Sequence, residues 1–363
     1  MSGTSATAAV PFLAHSDAFR RRRFLNWFPL GVTYALLYMG RYNLTVAKNS
    51  LGELMTKEDF GIIFGAGTFV YAFAFLLNGP LVDRMGGRKG MLAGAAGSAV
   101  ANLAMGAYLY HVVSSGEATS APLRLVFSVL YALNMYFQSF GAVSIVKVNA
   151  HWFHVSERGG FSGIFGTMIS SGIFLAFTVN ELLLKAAQRV WPGAPGPSVA
   201  WVVFAIPAVM LALFFFVELS LLRDRPGQAG HADFDTGDAS SGDTSDTPIP
   251  AMQLFRQILS NPVIITVALI EFCTGVLRNG VMHWFPIYAN EIWALPNEHA
   301  LRGGALLMAM RDGAWLPLWP ALPCFAVAVV SAVLAKRAHG RRRGAYAVGA
   351  ALAAKRLGRD DVT

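Results

Sequence analysis

The sequence carries little charge and almost no cysteine. Only 14% of its 363 residues are Asp, Glu, Lys or Arg, while 55% are hydrophobic and the mean hydropathy is +0.47, a composition well outside the usual soluble range. The two cysteines, Cys273 and Cys324, stand far apart in or beside apolar runs, without metal-ligand spacing, and read as buried thiols. The eight histidines form no metal motif, and His151 and His154 fall near a helix end, where polar loop residues are ordinary. A nucleophile elbow, a phosphate-cradling P-loop and a zinc pattern are all missing. Nothing therefore points to an enzyme, and neither a cofactor nor a bound metal is expected. No cleavable leader is expected either, because "AFRRRRFLNWF" runs into a full-length apolar stretch with no small-residue cleavage site at its end.

What the sequence has in abundance is long apolar runs. Stretches near the roughly 20 residues needed to cross a bilayer recur at about 24–44, 61–82, 91–113, 123–148, 160–185, 199–222, 262–287 and 303–335. They predict an all-α polytopic membrane protein of about eight spans. The net charge of +8 sits in short loops between these runs, so it sets orientation and does not signal nucleic acid. Arg20 to Arg23, Arg84, Arg88, Lys89, Arg158, Arg223, Arg225 and the basic tail fall on one side. Lys48, Lys57, Arg124, Lys185, Arg189 and Arg302 fall on the other, and the asymmetry predicts a cytoplasmic amino terminus.

After the sixth span, "RDRPGQAGHADFDTGDASSGDTSDTPIPAM" is rich in Asp, Gly, Ser, Thr and Pro and reads as a flexible linker. The predicted organisation is a short N-terminal segment (1–23), a six-helix half (24–222), a linker (223–261) and a partial second half (262–363) of about two spans and a basic tail. Six spans, a polar linker and further spans is the layout of a carrier with a substrate site between two halves. The second half is short: the Ala-rich 345–354 is below spanning length, and "GAWLPLWPALP" places three prolines in an apolar run. A frame damaged or cut short there, or a divergent terminus, gives this appearance.

The loop after the second span reads "GPLVDRMGGRKG". Gly79 permits close helix approach, Asp83 and Arg84 end the span with charge, Gly86 and Gly87 allow a tight turn, and Arg88 and Lys89 can pair with Asp83 or with a carboxylate of a neighbouring helix. A positive-inside loop with a glycine turn accounts for the same residues. In its place after span two, the pattern resembles the conserved loop of the major facilitator superfamily. The resemblance implies two six-helix halves, alternating access and a conformational switch in this loop; position 87 departs from the usual basic residue. A second copy of the loop is expected near 332–345, where Lys336 stands in place of an acid.

Between spans four and five, "HWF" is followed by "SERGG", with Glu157 and Arg158 closing a short loop and Gly159, Gly160, Gly163, Gly166 and Gly172 giving span five a small-residue face. This stretch closely resembles the organophosphate:phosphate antiporters, the family of bacterial glycerol-phosphate and hexose-phosphate permeases. That family places two arginines near the midplane, on spans one and seven. Arg41 in "YMGRYNLTVAKN" matches the first and Arg278 in "GVLRNGVMHWFP" the second. An arginine at depth costs about 2.5 kcal/mol or more, so it should face a watery cavity or a partner, and its forked donors suit phosphate. The alternative is that Arg41 snorkels to an interface and Arg278 pairs with Glu271.

Three departures stand out. Tyr42 occupies the place of a second basic residue, Phe75 aligns near a basic residue of span two, and Ile169 aligns near a substrate-contacting histidine of span five. These changes favour a bulkier or less charged anion, with Tyr38, Tyr42 and Trp284 as its aromatic surface. Lys147 reads as an anchor and Glu271 as a partner for Arg278 or a proton carrier. The resemblance implies an inner-membrane, monomeric carrier whose partners are membrane lipid, an organic phosphate and inorganic phosphate. Three alternatives stand beside it: a proton-coupled carrier of another solute, a non-transporting sugar-phosphate sensor, and an inactive truncated carrier.

Overall fold

Polar breaks cut the chain into rods of bilayer length. The computed structural model describes residues 15–116, 121–192, 196–237 and 251–292. All of these fall in the first of two compact units, residues 1–301. The eighth expected span, the Ala-rich stretch, the second loop copy and Cys324 lie outside the described residues.

Helix α1 (Asp17–Leu51) is opened by Ser16, whose hydroxyl accepts from the Phe19 N–H at 3.2 Å. A reciprocal Thr56–Asp59 capping box opens α2 (Lys57–Met85). There follow α3 (Gly87–Ser114), α4 (Leu123–Trp152) and α5 (Val155–Phe174). A π-helical turn, Leu175–Val179, carries α5 into α6 (Asn180–Val190). The short α7 (Gly196–Val199) leads into α8 (Val202–Leu221), and α9 (Ala251–Ser260) precedes α10 (Pro262–Ile292). Among the described residues there is no strand.

Among the described residues, six helical rods are long and apolar enough to cross a bilayer: α2, α3, α4, Val155–Val190, Pro197–Leu221 and Pro262–Trp284. Helix α1, expected as the first span, is long enough but too polar to join them, because Arg41, Asn43, Thr45 and Lys48 interrupt its apolar run. Its position explains the tolerance. From Leu30 to Leu51 nearly every residue is buried among α3, α4, α5 and α8, so α1 meets other helices where α2 shows Phe69, Phe73, Leu76 and Leu77 outward.

Small residues also line a helix contact that the sequence reading does not single out. Gly87, Gly90, Gly94 and Gly97 line the face of α3 against α4, where a Cβ at any of them would crowd Val148, Ser144 or Phe137. Of the expected span-five face, Gly172 packs on α1, whereas Gly163 and Gly166 have open space beside them among the described residues. Gly79 likewise meets nothing close among the described residues, so the approach expected there is not seen. Cys273, read as buried, is exposed on α10.

The start of the stretch read as a flexible linker is folded. Pro226–Ala229 forms a 3-10 turn, and Gly227 N–H donates to Asp233 at 2.7 Å. Phe234 packs edge-on against Phe19 and His15, and Val155 N–H donates to the Thr236 carbonyl at 2.9 Å. Aromatic side chains hidden among the Asp and Gly of this stretch hold it against the start of α1 and the α4–α5 turn. His15 is half-buried there beside Arg23, and burial together with that positive neighbour pushes its pKa down.

Candidate functional site

Arg41 sits two-thirds of the way along α1 and is partly buried. Its Nε donates to Gln138 Oε1 on α4 at 2.8 Å. Its guanidinium lies over the rings of Tyr38, 5.0 Å away, and of Tyr71 on α2, 4.4 Å away. Nη2 is buried with no hydrogen-bond partner. Among the described residues no carboxylate pairs with this cation. It is a charge held in place with donor capacity to spare.

A run of buried amides fixes it. Gln138 Nε2 donates to Asn134 Oδ1 at 3.1 Å, and Asn134 Nδ2 donates to the Gly40 carbonyl at 3.0 Å. Asn102 on α3 donates to the same Asn134 oxygen at 3.0 Å and to the Ser98 carbonyl at 2.9 Å. Asn43 on α1 donates to Asn102 Oδ1 at 2.7 Å and to the Val203 carbonyl on α8 at 3.2 Å. The Tyr131 hydroxyl donates to the Arg41 carbonyl at 3.2 Å. Four helices therefore share one polar network in an otherwise apolar interior, where each unmade bond would leave a costly orphan. Gly40 makes the crossing possible, since a Cβ there would sit 3.0 Å from Asn102 Nδ2.

Toward the far end of α1 the partner is α10. Tyr42 stacks on His283 with centroids 4.7 Å apart, and Thr45 Oγ1 lies 2.7 Å from His283 Nδ1. Phe64 of α2 packs on the same imidazole at 4.1 Å. The sequence signal for His283 is slight, a single histidine inside the apolar run "GVMHWF". Trp284, expected beside the substrate, packs edge-on against Phe60 at 5.5 Å, farther along α2.

Arg278 and Glu271 are exposed on α10, and among the described residues no ion pair joins them. Tyr42 lies within electrostatic reach of both Arg41 and Arg278. Phe75 packs edge-on against Tyr71 at 4.9 Å, so an apolar ring flanks the shelf beneath Arg41.

At the other end of the bundle, the glycine loop is pinned from two sides. Gly86 adopts a φ of +92°, and Asp224, just after α8, accepts from the Arg88 N–H at 2.7 Å. Arg88 also donates to the Leu219 carbonyl at 2.7 Å. Asp83 pairs with Lys147 of α4 at 2.8 Å, not with the basic residues of its own loop. Arg84 and Lys89 are exposed. Glu157 joins Arg23 of α1 at 3.0 Å and closes the capping box with His154 that starts α5. Arg158 donates to the Ala150 carbonyl at 2.9 Å and to that of Phe153 at 3.3 Å, capping the end of α4.

With this geometry in view, known proteins supply the context. The sequence profile of the Major Facilitator Superfamily matches residues 30–354. The glycerol-3-phosphate transporter of Bacillus subtilis (strain 168) is 25% identical over 288 residues, covering 76% of this chain and 59% of that protein. The glycerol-3-phosphate transporter of Haemophilus influenzae is 24% identical over 306 residues, covering 78% of this chain and 59% of its own. The membrane sensor protein UhpC of Salmonella typhimurium is 26% identical over 283 residues, with 75% and 57% covered. The chain spans less than two thirds of the length of these relatives. The relatives are of the organophosphate:phosphate antiporter type that the "HWF…SERGG" pattern resembles. The chain is an integral membrane protein of the Major Facilitator Superfamily.

Proposed function

We propose that the chain is a non-enzymatic carrier of a phosphorylated small molecule, exchanged for inorganic phosphate by alternating access. The observation that carries the reading is Arg41: a guanidinium among helices with no carboxylate partner among the described residues and with Nη2 unbonded. A dianionic phosphate would fill that vacancy with paired charge-assisted hydrogen bonds. Gln138 and the tyrosine shelf orient the fork in advance, so less freedom is lost on binding.

Arg278 supplies the second cation. As the halves close, its exposed guanidinium would meet the phosphate held by Arg41, and the empty site would resist the same closure through repulsion. Exchange follows from that difference, because a ligand shifts the conformational balance only by its differential affinity for the states. The basic N-terminal face, with Arg20 to Arg23, Arg88 and Arg158, lies in the cytoplasm of a bacterial cell. There, Asp83 with Lys147 and Glu157 with Arg23 act as latches between helices.

The folded segment 223–237 favours a second reading, a substrate sensor, since it gives that face an ordered surface. The two readings part on one experiment: uptake of radiolabelled phosphate into proteoliposomes loaded with phosphate, using the whole chain. Exchange blocked by excess organic phosphate, and lost in Arg41→Lys, supports the carrier. Binding of organic phosphate without exchange supports the sensor, and the absence of both refutes the phosphate reading.

A further inference from the structure

The inference concerns what the phosphate is attached to, and it rests on the reading of Arg41 as the phosphate ligand. Toward the N-terminal end of α1, a cavity of about 370 Å³ opens between α1, α4 and α5. Tyr34, Ile145, Phe161, Phe165 and Ile169 form its walls, and Asn149 lies among them. Two rings stand between the cavity and the cation: Tyr34, in the cavity wall, packs edge-on against Tyr38 at 5.2 Å, and Tyr38 lies beneath Arg41. Seven residues of helix separate Tyr34 from Arg41, about 10 Å along the axis. An organic body of about that length, carried by a phosphate on Arg41 and passing the two rings, would reach the cavity.

The walls decide what body fits. A polyhydroxylated body needs a partner for each hydroxyl removed from water, and a site lacking those partners penalises it. Here the rim arginine, Arg158, already donates to two backbone carbonyls. Asn149 is 6% exposed, and neither its Oδ1 nor its Nδ2 has a hydrogen-bond partner. A buried amide with both ends open awaits a ligand group that both donates and accepts.

We propose that this cavity is the subsite for the organic body of the substrate, and that it takes an apolar or aromatic body with few hydroxyls, one polar group reaching Asn149. The preferred substrate class is then an aryl or alkyl phosphate monoester, not a glycerol or hexose phosphate.

The test is direct binding to the purified whole chain of inorganic phosphate, glycerol 3-phosphate and 1-naphthyl phosphate, with 1-naphthol as the control for partition into detergent. The expected result is 1-naphthyl phosphate binding at least about tenfold tighter than glycerol 3-phosphate, within the range that hydrophobic pockets discriminate. Phe165→Asn, in the same wall, should remove most of that preference and leave phosphate binding unchanged, which also shows that the variant is folded. Val146→Thr, a nearly isosteric change in the same wall, should reduce the preference by roughly threefold and serves if the asparagine variant does not fold. Equal affinity for the two esters, a preference that survives both wall changes, or one shared by 1-naphthol overturns the subsite while leaving Arg41 as a phosphate ligand. Failure of phosphate and both esters to bind overturns the Arg41 reading, and the subsite with it.

Discussion

Lys147 on α4 reaches Asp83 at the end of α2, with 2.8 Å between Nζ and Oδ1. The pair is 35% and 64% exposed, so its contribution to stability is small, about 0–1 kcal/mol. Its place matters more, because it ties two helices at the end of the bundle where Arg88 and Asp224 tie α3 to α8. Asp83→Asn and Lys147→Met should each leave thermal unfolding nearly unchanged and alter phosphate exchange severalfold. Exchanging the two charges, Asp83→Lys with Lys147→Asp, should restore the rate. A rate unaffected by either single change would remove the pair from the switch.

Arg41 offers a sharper test, because its orientation depends on a neutral neighbour. Lysine keeps the charge but loses the fork, so Arg41→Lys should abolish measurable exchange without impairing membrane insertion. Gln138→Leu keeps the arginine and orphans its Nε. The cost should be about 1–3 kcal/mol in phosphate binding, roughly 5- to 150-fold in affinity. Titration of phosphate into the purified variants would show it, and full affinity in Gln138→Leu would mean that the shelf of Tyr38 and Tyr71 alone positions the cation.

The apolar runs and basic loops foretold the helices well, because bilayer length and loop charge are properties of contiguous sequence. Arg41 was legible for the same reason, a cation inside an apolar run. The amide network was not. Asn134 and Gln138 stand one turn apart on α4, but Asn43 and Asn102 come from α1 and α3 and each looks like a single polar exception; only helix packing reveals that all four join. Intramembrane polar residues are expected to find partners, so the four could have been flagged but not matched. The folded part of the linker was hidden for another reason: bulk composition outweighed Phe234 and His231, which anchor it.

The amide network makes its own prediction. Asn102→Leu removes the donor shared by Asn134 and Ser98 and the acceptor of Asn43. Asn134 Oδ1 retains Gln138 and Asn43 Nδ2 retains Val203, so the loss should be moderate, about 1–3 kcal/mol. Thermal unfolding in detergent should fall by a few degrees, and phosphate affinity should fall with it if the network positions Arg41. A lower melting temperature with unchanged affinity would make the network purely structural.

His283 closes the far end of the bundle onto α1, where its ring fills the space between Tyr42 and Phe64 and its Nδ1 meets Thr45. Such hydrogen bonds between membrane helices are worth about 0.6 kcal/mol on average, so stacking should carry more of the contact than the bond does. His283→Phe should therefore keep this end closed, whereas His283→Ala should open it. A cysteine placed at Thr45 would report the difference: its labelling by a water-soluble maleimide should rise severalfold beside alanine and stay low beside phenylalanine. Equal labelling in both variants would place the closure elsewhere.

The last prediction runs against the family pattern. Position 87 carries glycine where the resembling loop has a basic residue, so Gly87→Arg looks like a repair. In this bundle a Cβ at position 87 would lie 2.7 Å from Val148 Cγ2 and 3.0 Å from the Ser144 carbonyl. A side chain there must push α3 away from α4, and that seam continues through Gly90, Gly94 and Gly97. Overpacking of this kind costs about 1–3 kcal/mol. Gly87→Arg should lower the melting temperature and slow exchange. Gly87→Ala should do nearly as much harm, because the clash begins at Cβ and owes nothing to charge. If alanine is tolerated and arginine is not, repulsion among Arg84, Arg88 and Lys89 is the cause; if both are tolerated, α3 can move away from α4 at little cost.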